Sequence, residues 1–338
     1  MRFKELTENM SEGEYRELDA FSYSLLKAID DEGPMALVER EDKKSKAFEF
    51  GTMVDILLTD PDKKDDIFHT KTVEKPTAML LALADALVMD AVIEDKTFEQ
   101  ITSKACVENK IIQLGLWKSM VDPIKLQEKW NSDIFHNYIR ETIAAKGKIV
   151  TTPELLEAAT RSAGILRYHD FTKYYFEENE NCEVLKQAII LYPFKGCRGK
   201  AKLDLVHIDH AAKLITPIDI KTGAELPSKF LSAFYHYKYY LQVISYMLAI
   251  EYVRMKTPEF SEYKIAPFKF MYLSKKLPES PTIWEVPEQL LNFYSSGWDD
   301  RRGFLSLVED YKYYKEHESY SSERIVLENK GKLQVSLQ

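Results

Sequence analysis

Apolar positions along this chain repeat with two different periods, and the change of period divides it. Phe21–Ile29 reads F-S-Y-S-L-L-K-A-I, which sets Leu25, Leu26 and Ile29 on one helical face behind a serine cap at Ser22 or Ser24. Gly33-Pro34 ends that helix and Met35 opens another. Between Phe48 and Leu58, the residues Phe50, Met53, Val54, Leu57 and Leu58 recur at the spacing of a buried helix. Helical patterns continue through 77–92, 97–107 and 124–146, and Thr152-Pro153-Glu154 starts a further helix that runs to about Tyr168. The pattern then becomes that of strands. Glu183–Leu191 is followed by Leu203–Ile208 and Leu214–Ile220, two β-branched runs joined by a polar turn at Asp209–Lys213, as in a hairpin. A long helix over Lys229–Val253, an alternating strand over Phe268–Leu273 and an edge strand over Thr282–Val286 complete the core. Glu288–Tyr314 reads as helix with an interruption at Trp298–Gly303, before a charged, peripheral tail from Lys315. The expected class is α/β (α+β): a mixed central β-sheet flanked by helices, with a helical N-terminal and insert region. The expected division is 1–180 and 181–338, within one compact domain overall.

Composition narrows the picture. With 338 residues, 45% of them hydrophobic, the chain can bury a sizeable core. No apolar run approaches the length of a bilayer span, so no membrane association is expected. The first ten residues lack a signal peptide's apolar region. Cys106, Cys182 and Cys197 show no paired spacing, which points to a reducing cytoplasm. The net charge of −8 disfavours a protein that coats nucleic acid non-specifically. Charge is uneven, however: residues 195–229 carry 7 basic against 4 acidic side chains, and 251–276 carry 6 against 3. A local basic channel in an acidic body is compatible with phosphate binding.

The candidate chemistry lies in the hairpin. Asp204 is in its first run; Asp219 and Lys221 end the second, two apart and on one face. Carboxylates and an ammonium group on neighbouring strands are costly to bury without a purpose, and a hard divalent cation such as Mg²⁺ supplies one. Asp55 falls inside the apolar pattern of its helix, where a lone carboxylate needs a partner. No G-x-x-x-x-G-K-[ST], G-x-S-x-G or H-E-x-x-H motif offers a different chemistry.

Asp204 followed by Asp219-x-Lys221 resembles the core of the PD-(D/E)xK nuclease superfamily, with its restriction-endonuclease-like sheet. Gln242 and Tyr246, four apart on the next helix, resemble the Q-x-x-x-Y motif of RecB/RecE-like and lambda-type exonucleases. Ser24 lies in a stretch similar to the opening segment of the phage enzymes, and Gly51-Thr52-x-x-Asp55 matches a G-T-x-x-His segment, with Asp where the commoner pattern has a metal-binding His. Many members also carry Glu where this chain has Asp219. The resemblance spans roughly residues 20–275 and implies metal-dependent hydrolysis of linear double-stranded DNA in phage or prophage recombination. It assigns one or two Mg²⁺ or Mn²⁺ to Asp55, Asp204, Asp219 and the carbonyl of Ile220, and makes Lys221 an electrostatic stabiliser. Gln242 and Tyr246 would hold the nucleophile or a nucleotide; Ser24, Arg198, Lys200 and Lys202 would contact phosphates. A ring-shaped homo-oligomer and a single-strand annealing partner are also implied. The alternatives are a structure-specific endonuclease or nickase of the same fold and a non-catalytic DNA-binding module. The absence of a cysteine cluster argues against the iron–sulfur members.

Overall fold

The computed structural model describes residues 3, 7–39, 46–118, 122–299 and 301–332. The chain forms two compact units: Met1–Thr59 with Arg161–Gln338, and Asp60–Thr160. A boundary near 180 therefore falls inside the first unit.

The first unit holds helices α1 (Glu12–Glu17), α2 (Tyr23–Glu32) and α3 (Lys46–Thr59), then strands β1 (Cys182–Phe194), β2 (Cys197–Asp209) and β3 (Leu214–Gly223). Helices α4 (Phe230–His236) and α5 (Tyr239–Lys256), strands β4 (Phe268–Ser274) and β5 (Leu277–Val286), and helices α6 (Gln289–Ser296) and α7 (Phe304–His317) follow. Strand order is β1-β2-β3-β4-β5, with the short strand Lys264–Ile265 also on β3. β1, β2 and β3 form an antiparallel meander, β3 and β4 run parallel, and β4 and β5 are antiparallel. The sheet is thus mixed, as expected. Lys195 and Gly196 both take positive φ, 52° and 82°, in the two-residue loop between β1 and β2. Positive φ at both positions makes the twist of a tight hairpin loop match its strands.

One face of the sheet is sealed by α5. Leu241, Val243, Ala249 and Ile250 are fully buried against Leu203, Val206, Ile208, Phe268 and Phe270. Each such leucine, valine, isoleucine or phenylalanine contributes about 1.5–3 kcal/mol by leaving water. The single helix expected over 229–253 is broken in two. Lys238 sits in the left-handed region (φ 55°) before α5, and its ammonium pairs with Asp30 and with Asp31 at 2.6 Å, both on α2. No glycine or proline marks that break; an ion pair distant in sequence holds it.

In the second unit, helices Ala78–Glu94, Lys104–Leu114 and Asp133–Ala144 enclose Leu83, Leu87, Val107, Ile111, Phe135 and Ile139. Trp130 and Tyr138 join this core.

Candidate active site

The hairpin pairs from Asp209–Leu214 up to Leu205–Ile218 and then stops. One step further, Asp204 would face Asp219. β3 continues instead alongside β4, through Asp219–Phe270, Ile220–Met271 and Lys221–Tyr272. The two acids therefore stand at the mouth of a fork. Asp204 Oδ2 accepts the Ile220 N–H at 2.9 Å, so a side chain replaces the missing ladder bond. Its Oδ1 accepts from Gln187 Nε2 at 3.4 Å.

α5 closes the fork on one face. Gln242, 1% exposed, donates its amide to Asp219 Oδ1. One turn on, the buried Tyr246 donates to the carbonyl of Lys202 at 2.6 Å, beyond the end of the β2–β3 ladder. The pair shares a helix face, as its spacing requires. Their partners differ: Gln242 holds an acid, whereas Tyr246 holds the strand that carries one. At the start of α2, Ser22 caps the helix by accepting from Leu25 N–H, and its hydroxyl lies 3.1 Å from that of Ser24. Between these serines Tyr23 stands edge-on to Tyr246, ring centres 5.6 Å apart.

Lys221 Nζ lies 2.6 Å from Asp219 Oδ2 and 4.8 Å above the Tyr239 ring. Burial pushes Asp219 up to about 7; the Lys221 charge opposes that rise and the Asp204 charge adds to it. For Lys221, burial works against the charged form, but the fields of Asp219 and its neighbours win and hold the ammonium well above its ordinary pKa. Asp55 belongs to the same electrostatic group. Burial raises its carboxyl well above the usual range, and the Asp204 and Asp219 charges raise it further. α3 reaches β3 at Gly51, where a Cβ would lie 3.6 Å from Thr222 Oγ1, and Asp55 is one turn further along the same face. Burial also pushes the Tyr23 hydroxyl up to about 12, with Lys221 opposing and Asp219 and Asp204 adding.

Two observations bear on a divalent cation. The Asp204 and Asp219 charges add to the burial that raises Asp55, the Asp204 charge adds to the rise at Asp219, and Gln242 Oε1 is buried beside Asp219 with no hydrogen-bond partner among the described residues. Hard oxygen donors with uncompensated negative charge suit Mg²⁺ or Mn²⁺. Among the described residues, no three His, Cys, Asp or Glu side chains converge as a ready-made cage. Lys221 and Gln242 contact Asp219, and the Ile220 N–H and Gln187 donate to Asp204. The donor chemistry of these oxygens fits such a cation.

The expected phosphate contacts fare less well. Lys200 is buried, and its ammonium donates to the carbonyls of Tyr15, Arg16 and Leu18 at 2.8, 3.2 and 3.0 Å, tying down the end of α1. A lysine at a helix C-terminus satisfies the last carbonyls and the dipole, so it is a structural cation here. Lys202 is paired with Glu12 at 2.6 Å. Arg198 is exposed at the far end of β2, six residues and about 20 Å of strand from Asp204. Sequence reasoning passed over Tyr23, Tyr239 and Gln187. The first two are aromatic neighbours of motif residues; no local signal singles out Gln187.

No protein-family model and no curated protein matches the chain. Among solved structures, a crystal structure from Eubacterium rectale named "Putative exonuclease" is similar over 98% of this chain and 97% of its own, at 14% identity and a TM-score of 0.48. No helix among the described residues is long and apolar enough to cross a membrane.

Proposed function

We propose that the chain hydrolyses phosphodiester bonds of linear double-stranded DNA as a divalent-cation-dependent exonuclease. The observation that supports this best is the fork itself: Asp204 and Asp219 stand at its mouth with Lys221 ion-paired beside them and Asp55 within the same field. A buried set of like charges is expensive unless a ligand uses it. Asp55, Asp204 and Asp219, with the Ile220 carbonyl, would hold Mg²⁺ or Mn²⁺. Bound there, the ion would lower the pKa of a coordinated water and offset charge on the phosphate. The chain's own residues do the rest. Gln242 holds the Asp219 carboxylate through Oδ1 and presents its free Oε1 as an acceptor for the attacking water. Lys221, kept protonated, places a positive charge where negative charge grows on the phosphoryl oxygens. Tyr246 fixes β2 so that Asp204 keeps its place. The family resemblance extends the proposal to phage or prophage recombination in a cytoplasmic setting, a ring-shaped oligomer and a single-strand annealing partner.

The test is digestion of linear and closed-circular duplex with Mg²⁺. Linear duplex should be consumed, and Asp219→Ala and Lys221→Ala should each abolish its loss while the fold is retained. Cleavage of circles or junctions alone would replace the exonuclease reading with that of a nickase or structure-specific endonuclease. Full activity in both variants would remove the mechanism and leave a DNA-binding module.

A further inference from the structure

One residue in the middle of β1 breaks the rules of a strand. Gln187 has φ of 51°, in the left-handed region, although it is neither glycine nor at a turn. Such a conformation costs a non-glycine residue of order 1–3 kcal/mol and persists only where the surroundings impose it. Pairing of β1 with β2 skips this position: Lys186 pairs with Leu205 and Ala188 with Leu203, and the residue across from Gln187 is Asp204. The core-facing set changes parity at the same point. Leu185 and Ala188 both join the core, as do Leu203 and Val206, three residues apart where strict alternation would give two or four. Gln187 is half-buried, and its side-chain amide donates to Asp204 Oδ1 at 3.4 Å.

We infer that Gln187 is a positioning residue for Asp204. The left-handed backbone turns its amide onto Oδ1, while the Ile220 N–H holds Oδ2. Asp204 is thereby gripped at both oxygens. The same irregularity lets β2 depart from regular pairing where the fork opens beside β3. The consequence for catalysis rests on the hydrolase reading above; the placement of Asp204 does not.

Two variants test this. Gln187→Gly accepts the left-handed backbone without strain but has no amide. Gln187→Glu keeps the length but loses the donor and adds a charge facing Asp204. The first readout is amide hydrogen exchange in the absence of DNA. In both variants, exchange at the Ile220 N–H should accelerate at least about tenfold, while the amides of Val206 and Ile215 keep wild-type protection. Thermal stability of Gln187→Gly should be unchanged or higher. The second readout is steady-state cleavage: kcat should fall about 10- to 100-fold, as for a misplaced catalytic group, with KM for DNA unchanged. Wild-type protection at Ile220 in both variants would overturn the inference. So would uniform loss of protection across β2 and β3, which would mark Gln187 as a merely structural residue. Selective exchange at Ile220 in a protein whose wild type cleaves no DNA would keep the positioning role and reject the hydrolase.

Discussion

Replacing Lys221 by Met tests the electrostatics of the fork without touching an acid. The ammonium is 2.6 Å from Asp219, whose side chain is almost fully buried. Removing one partner of a buried pair ordinarily costs about 3–5 kcal/mol, because the other charge is stranded. Here protonation caps that cost. Asp219 already titrates near 7 with Lys221 opposing the rise, so without the lysine its pKa climbs and the carboxyl stays neutral across physiological pH. The pH dependence follows from counting protons. A folded-state pKa above the unfolded value means the native state binds the extra proton, so stability falls as pH rises from the unfolded pKa to the folded one. In the wild type this loss ends near pH 7. In Lys221→Met it continues, at about 1.4 kcal/mol per pH unit. The destabilisation relative to wild type should therefore grow by about 2–3 kcal/mol between pH 7 and 9. Urea titrations followed by circular dichroism in EDTA, at half-unit pH steps, measure it. Adding Asp219→Asn to the variant should flatten the difference. Parallel stability curves for wild type and Lys221→Met would show that the two groups are not coupled, and the electrostatic account of the site would fail.

Three further outcomes are expected. Gly199→Ala puts a Cβ 2.6 Å from Tyr192 Cζ and 2.9 Å from Phe21 Cζ, both rings packed in the core, and should lower stability by about 1–3 kcal/mol in chemical denaturation. Lys200→Met should cost about 1–3 kcal/mol by stranding carbonyls at the end of α1, yet leave DNA affinity and its salt dependence unchanged in a filter-binding titration. Asp55→Asn should raise the melting temperature at pH 8 in EDTA, because it removes a carboxyl whose ionised form is disfavoured by burial and by the Asp204 and Asp219 charges, while abolishing cleavage.

Much of this arrangement was legible in the chain, for identifiable reasons. Strands β1 to β3 declared themselves through β-branched runs and a polar turn, and α3 through the spacing of Phe50, Met53, Val54, Leu57 and Leu58, all buried. Asp55 stood out because a carboxylate interrupts that spacing, and the fields of Asp204 and Asp219 do reach it. Long-range features were invisible. The break at Lys238 depends on Asp30 and Asp31, some 200 residues away and beyond any local propensity. The family resemblance made Lys200 a phosphate ligand; which carbonyls lie within reach of its ammonium is decided by the packing of α1. Gln187 carries no sequence signal, since glutamine is an ordinary strand residue and its left-handed φ comes from its neighbours.

The central claim is that three distant carboxylates share one cation site. Calorimetric titration of Mn²⁺ into the DNA-free protein, wild type beside Asp55→Asn, Asp204→Asn and Asp219→Asn, addresses it directly. The account predicts one or two ions per chain for the wild type and at least about tenfold weaker binding for every variant. Absence of saturable binding, or variants that bind as the wild type does, would contradict it.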